Sequence, residues 1–165
     1  MVAKGGFFKK GILAIILVAV LVYACPGYAQ VSKPIATADG EKPGLRVDVQ
    51  ELKRSSNGTV TLKFTMVNDS SGEVNFRYED FREPNQSKDE YTIGGVHLVD
   101  PANKKKYPVI RDAEGYCLCS RNIANLASKS RSNLWAKFPA PPASVKKVSI
   151  VIPHFLPIDD VPIGE

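Results

Sequence analysis

Residues 45–66 read LRVDVQELKRSSNGTVTLKFTM. Leu45, Val47 and Val49 alternate with Arg46, Asp48 and Gln50. After Ser55-Ser56-Asn57-Gly58 the same period returns, with Val60, Leu62, Phe64 and Met66 set against Thr59, Thr61, Lys63 and Thr65. A period of two sends successive side chains to opposite faces, so each run reads as a strand with one buried and one wet face. Asn57-Gly58 between them supplies the positive backbone angles of a tight hairpin turn without a steric penalty. The two strands therefore pair antiparallel.

The pattern continues down the chain. Beyond the turn-rich stretch Asn68–Gly72, Val74, Phe76 and Tyr78 alternate with polar residues as a third strand. Val96–Val99 and Lys106–Ile110 flank Asp100-Pro101-Ala102-Asn103 as a second hairpin, and Leu134–Phe138 and Val145–Ile152 supply the last two strong strands across a proline-rich connection. Asp80–Thr92 is polar, contains Pro84 and lacks an apolar repeat, which predicts a surface loop and the most mobile part of the domain. Asn122–Ala127 has room for a single helical turn. Seven or so strands, with no helix long enough to cross between parallel strands, point to an all-β fold: an immunoglobulin-like antiparallel β-sandwich. The lysines at 104, 105, 106, 146 and 147 and the nearby prolines are residues that keep strand edges from pairing with other chains.

Upstream of the strands the character of the chain changes. Lys4, Lys9 and Lys10 precede Gly11–Ala24 (GILAIILVAVLVYA), 14 residues without a charge. That is the length of a signal-peptide core, shorter than the roughly 20 apolar residues that span a bilayer as a helix. Gly27-Tyr28-Ala29 fits the small-x-small preference of a signal peptidase, predicting cleavage after Ala29 and a mature start at Gln30. Val22-Tyr23-Ala24-Cys25 is a loose lipobox, making lipidation at Cys25 a competing end, and an uncleaved anchor is a third. Each of the three exports the domain, to the periplasm or beyond, and gives contact with a membrane only through the amino-terminal segment. Residues 30–44 are polar, with Pro34 and Pro43, and read as a flexible linker; the domain itself is expected over 45–163.

Charge follows the same division. Removing residues 1–29 takes three lysines and no acid, so the net charge of +5 falls to +2. The sequence pI of about 9.1 is thus largely the signal, and a nearly balanced exported domain gives no electrostatic reason for a nucleic-acid partner. The remaining 136 residues, 30–165, suffice for one core without a metal or a disulfide staple.

The order of motifs from Val96-His97-Leu98-Val99-Asp100 through Lys106-Tyr107-Pro108-Val109, Arg111-Asp112, Gly115-Tyr116-Cys117-Leu118-Cys119-Ser120 and Trp135-Ala136-Lys137-Phe138-Pro139-Ala140-Pro141-Pro142 resembles a group of bacterial exported proteins. These carry an immunoglobulin-like, DUF4352-like domain, in some members ahead of an OmpA-like peptidoglycan-binding domain. The resemblance covers about residues 45–163. It implies an envelope location and a sandwich fold, and brings no activity and no catalytic residue.

Cys117 and Cys119 are the candidate disulfide, since oxidation is the ordinary fate of cysteines in an exported protein. Residues i and i+2 of a flat strand lie roughly 6–7 Å apart on one face, the long limit of disulfide geometry, so a bond between them calls for a bulge or a turn, which Gly115 makes available. A strained pair of this kind is the basis of an alternative reading as a thiol-redox protein. A second alternative uses the two thiolates to hold Cu(I), completed by His97, His154 or Met66; two thiolates alone make an incomplete site, so no metal and no cofactor is assigned. No nucleophile elbow, His-Glu-x-x-His or phosphate loop is present, and no catalytic residue is assigned. Glu79-Asp80, Asp89-Glu90 and Asp159-Asp160 read as solvated acids in loops or the tail, and Lys104-Lys105-Lys106 as a solubility device at a hairpin tip. Asn57, Asn68 and Asn85 begin glycosylation sequons. The expected function is a non-enzymatic interaction module of the cell envelope, with a protein or a polymer as its partner.

Overall fold

The structure, a computed structural model, describes residues 1–2, 33–77 and 80–165. The expected signal features at Cys25, Ala29 and Gln30 lie outside the described residues, as do Tyr78 and Glu79.

Among the described residues from 33 onward the chain is all-β, apart from one short 3-10 turn at Ser87–Asp89. Its strands are β1 (Ala36–Asp39), β2 (Leu45–Ser55), β3 (Thr59–Asn68), β4 (Val74–Asn75), β5 (His97–Asp100), β6 (Lys105–Pro108), β7 (Asn125–Leu126), β8 (Ser130–Pro139), β9 (Lys147–Val151) and β10 (Ile158–Pro162). One four-stranded sheet has the order β1-β2-β3-β8, a second has the order β10-β9-β5-β6, and β4 pairs with β7. Every strand pair is antiparallel. The inward phase of the first sheet, including Val47, Leu62, Phe64 and Phe138, joins Leu98, Val148, Ile150 and Val161 of the second in one apolar cluster.

The hairpin of β2 and β3 shows how register is set. Ser55 pairs with Thr59, and of the intervening residues Gly58 alone takes a positive φ, +76°, as a three-residue loop closing on a left-handed residue requires. In β2 the register shifts between Val49 and Glu51. One extra residue in the strand moves the inward phase by one position, so Leu52 is buried although it falls three residues after Val49.

Five segments differ from the sequence reading. The stretch read as a flexible linker carries β1, in register Ala36↔Val49 to Asp39↔Arg46. The free edge of β2 satisfies this short polar segment's backbone, and the domain therefore begins before Leu45. The third strand stops after Asn75, and its partner is β7, formed where a helical turn was expected. Asp159 and Asp160 sit in β10 rather than a tail; both stay exposed, and Asp159 accepts a hydrogen bond from Ser149 Oγ at 2.6 Å. Within Asp80–Thr92, expected to be the most mobile surface loop, Phe81, Asp89 and Thr92 are buried. Asn68 is buried too, its amide donating to the carbonyls of Gly72, Leu126 and Ala127, which leaves no acceptor nitrogen for a glycan in the folded domain.

Main-chain hydrogen bonds close both seams between the sheets. On one side Leu156 donates to Asp39 at 3.1 Å, while along β2 Arg54 donates to Gly164 at 2.9 Å and Gly164 to Leu52 at 2.8 Å. On the other, Ile110 donates to Lys137 at 2.8 Å, and Lys137 to Leu118 at 3.0 Å. Edges stitched in this way offer little ladder to another chain.

Phe64 lies 1% exposed in a central strand facing the second sheet. Phe64→Ala is expected to cost about 3–5 kcal/mol, while the outward Lys63→Ala changes stability by about 0.5 kcal/mol or less. Urea denaturation measures both, and equal costs would show that the sheets do not share a core.

Candidate functional site

The segment Arg111–Ser120 begins as a tight turn. Asp112 N–H donates to the Tyr116 carbonyl at 2.9 Å, Asp112 Oδ1 accepts from Tyr116 N–H at 2.7 Å, and Gly115 takes a φ of +86°. Residues 117–120 then lie along the outer edge of β8: Ser120 N–H donates to the Trp135 carbonyl, and Trp135 N–H donates back to Ser120 Oγ, both at 2.9 Å. Alternation does the rest. Cys117 and Cys119 turn into the core, 3% and 5% exposed, while Tyr116 turns outward.

Cys117 and Cys119 are joined as a disulfide with their Cα atoms 5.3 Å apart, well inside the usual range and closer than the flat-strand estimate. Exchange requires a thiolate to reach one of the sulfurs, and both are buried. The residues named with them for metal binding stay apart in the fold. Met66 is buried in β3, His97 on β5 has Nδ1 3.0 Å from the Gly95 carbonyl, and His154 beyond β9 has Nδ1 3.0 Å from Glu41 Oε2. Burial pushes the His97 imidazole below its ordinary pKa. Among the described residues no three His, Cys, Asp or Glu side chains gather as a metal-holding group.

Beneath the turn lies an arrangement that the sequence reading missed. Asp89, read as a solvated acid, is fully buried. Its Oδ1 accepts from Arg111 Nη1 at 2.9 Å and its Oδ2 from Arg111 Nη2 at 2.6 Å. Arg111 also donates to the Gly115 carbonyl at 3.1 Å and to Glu83 Oε2 at 3.3 Å. Its hydrogen bonds with Asp89 outweigh burial and raise the guanidinium pKa above its already high ordinary value. Gly94 is necessary here, because a Cβ at that position would collide with the Asp89 carboxylate. The pair thus pins the 3-10 turn that carries Lys88 against the turn that carries Tyr116.

The outer surface combines rings and cations. Tyr116 is 38% exposed and Trp135 40%. The Lys88 ammonium lies 4.9 Å and the Arg121 guanidinium 4.8 Å from the Tyr116 ring centre. Lys88 is also held by a hydrogen bond to the Glu114 carbonyl. Each cation is attracted to the Tyr116 ring, and ring and cation stay wet enough to meet a ligand. Elsewhere, a cleft of about 380 Å³ is lined by residues including Lys42, Phe76, Asp80 and His154. Its acids are engaged, Glu41 with His154 and Asp80 with Arg77.

Comparison with protein-family models, with curated proteins and with solved structures finds no match to this chain. Function has to be read from this surface.

The disulfide closes a ring across a sequence separation of only 2, so it removes little freedom from the unfolded chain. Cys117→Ala/Cys119→Ala is expected to cost less than about 2 kcal/mol, compared with about 3 kcal/mol for a bond closing a 15-residue loop. The double serine variant should lose a further 1–3 kcal/mol or so, from buried hydroxyls without partners. Chemical denaturation of the two variants separates these effects, and an alanine variant that fails to fold would contradict the estimate.

Proposed function

We propose that this chain is an exported, non-enzymatic interaction module, an immunoglobulin-like sandwich that contacts a cell-envelope protein or polymer through the surface of Tyr116, Arg121 and Trp135. The observation that carries the reading is a pair of large rings, about two-fifths exposed: Tyr116 on a segment fixed from below by a buried ion pair, and Trp135 on β8, to whose edge that segment is bonded. Tyrosine, tryptophan and arginine are the residues that contribute most to binding where they stand on a pre-ordered surface. A rigid support keeps the ordering cost of association low.

The immunoglobulin-like part draws support from topology. The central strands β2-β3-β8 facing β10-β9-β5-β6, with hairpins β5-β6 and β9-β10 and crossings between sheets after β3, β6 and β8, follow the connectivity of such domains. The export part rests on the amino-terminal sequence, and a disulfide is consistent with an oxidising compartment. Burial of both sulfurs weighs against a redox or Cu(I) role.

Tyr116→Ser/Arg121→Ser removes the ring and its exposed cation and touches no core residue. Retention of the purified full chain on an envelope fraction is expected to fall about tenfold in this variant, the equivalent of 1.4 kcal/mol, with the thermal midpoint unchanged. Undiminished retention would contradict the assignment of the surface.

A further inference from the structure

Trp135 is the single tryptophan of the chain. It stands on the outward phase of β8 between Asn133 and Lys137, with Lys63 directly across on β3. Among the described residues its indole N–H has no protein acceptor. The positions around it present polar groups: Thr61 and Lys63 on β3, Asn133 and Lys137 on β8, while Thr65 beside Asn133 is buried. Thr65 Oγ1 donates to Asn133 Oδ1 at 2.8 Å, which leaves the Asn133 amide hydrogens directed elsewhere. Lys63 reaches Glu51 Oε1 at 3.1 Å but keeps more than half of its side chain exposed, and Lys137 has no acid partner among the described residues.

A protein partner would look for further apolar anchors on the sheet itself, and around the indole β3 and β8 supply hydrogen-bonding groups instead. A nucleic-acid strand gains affinity by neutralising successive phosphates, and two lysines with an acid beside them are few for that. A pyranose ring matches better. Its apolar C–H face lies against the electron-rich indole face, its hydroxyls meet Thr61 and Asn133, and carboxylates along the polymer meet the lysines. An indole standing on the outward phase of a sheet suits a chain laid across it rather than a small molecule enclosed.

We propose that the outer face of the first sheet around Trp135 binds an anionic polysaccharide, with a sugar ring stacked on the indole and its carboxylates met by Lys63 and Lys137. The proposal rests on the reading of the protein as an interaction module and names the chemistry of its partner.

The test is a fluorescence titration of the full chain with polygalacturonate, neutral dextran and oligothymidylate, in parallel with retention on the envelope fraction. Polygalacturonate is expected to shift the Trp135 emission to shorter wavelength and to saturate, with an affinity that falls as salt rises. Dextran should bind about tenfold or more weakly, since it lacks the carboxylates met by the lysines. On immobilised polygalacturonate, Trp135→Ala should lower retention about tenfold or more while the thermal midpoint holds, and Lys63→Gln/Lys137→Gln should flatten the salt dependence. A stronger response to oligothymidylate, or equal retention of Trp135→Ala, would overturn the proposal. Envelope retention that depends on Trp135 without any polygalacturonate binding would overturn the polysaccharide alone. Envelope retention indifferent to Trp135, Tyr116 and Arg121 would overturn the binding surface, and this proposal with it.

Discussion

A carboxylate stripped of water has to be met by charge and by hydrogen bonds, and in this domain Asp89 is met by Arg111 through both oxygens. The two residues come from the connection between β4 and β5 and from the connection that follows β6, which an antiparallel bridge of Thr92 with Arg121 also joins. Leaving either partner alone in the interior costs about 3–5 kcal/mol, far more than an exposed pair contributes. The requirement that both be present therefore adds a side-chain constraint to the main-chain bonds of Ile93 to Ser120 and Ile123 to Tyr91 that hold the two connections together. Arg111 extends the constraint to Gly115 and Glu83, and Gly94 gives up its side chain to make room.

What lies above the pair depends on it. Tyr116 projects from the turn that Arg111 starts, and Lys88 from the 3-10 turn that Asp89 ends, so the stacking of Lys88 on Tyr116 is a consequence of the ion pair below. The disulfide adds a local constraint, closing only the pucker between Cys117 and Cys119. The β8 edge adds a directional one, because Ser120 and Trp135 exchange hydrogen bonds and so hold the segment beside the indole. Rigid support of this kind is what a binding face on a sandwich uses, since rings that are already placed lose little freedom when a partner arrives.

Much of the scaffold was legible because one physical signal, period-two alternation, governs it. The hairpin of β2 and β3, the second hairpin and the cores of β8 and β9 follow from it. Leu52 marks where the signal slips, and the slip is a bulge. β1, β7 and β10 were not legible as strands, because tertiary pairing makes them: β1 has two alanines facing inward and is ordered by the edge of β2, and β10 interrupts its own register at Asp160, φ 56°. The cysteine segment was recognisable, but Asp89 was not. Nothing in its polar neighbourhood announces burial, and the one hint is the adjacent pair Gly94-Gly95, at both of which a side chain would strike the loop. Trp135 was also readable in principle, since it falls on the polar phase of a strand whose Leu134, Ala136 and Phe138 point inward.

The direct test of this account is a double-mutant cycle on Asp89 and Arg111, read by urea denaturation. Arg111→Met and Asp89→Leu are each expected to cost about 3–5 kcal/mol, and the double variant much less than their sum, since an apolar pair can fill the site without a stranded charge. Single costs near those of an exposed pair, below about 1 kcal/mol, or strictly additive losses, would contradict the claim that this ion pair organises the surface.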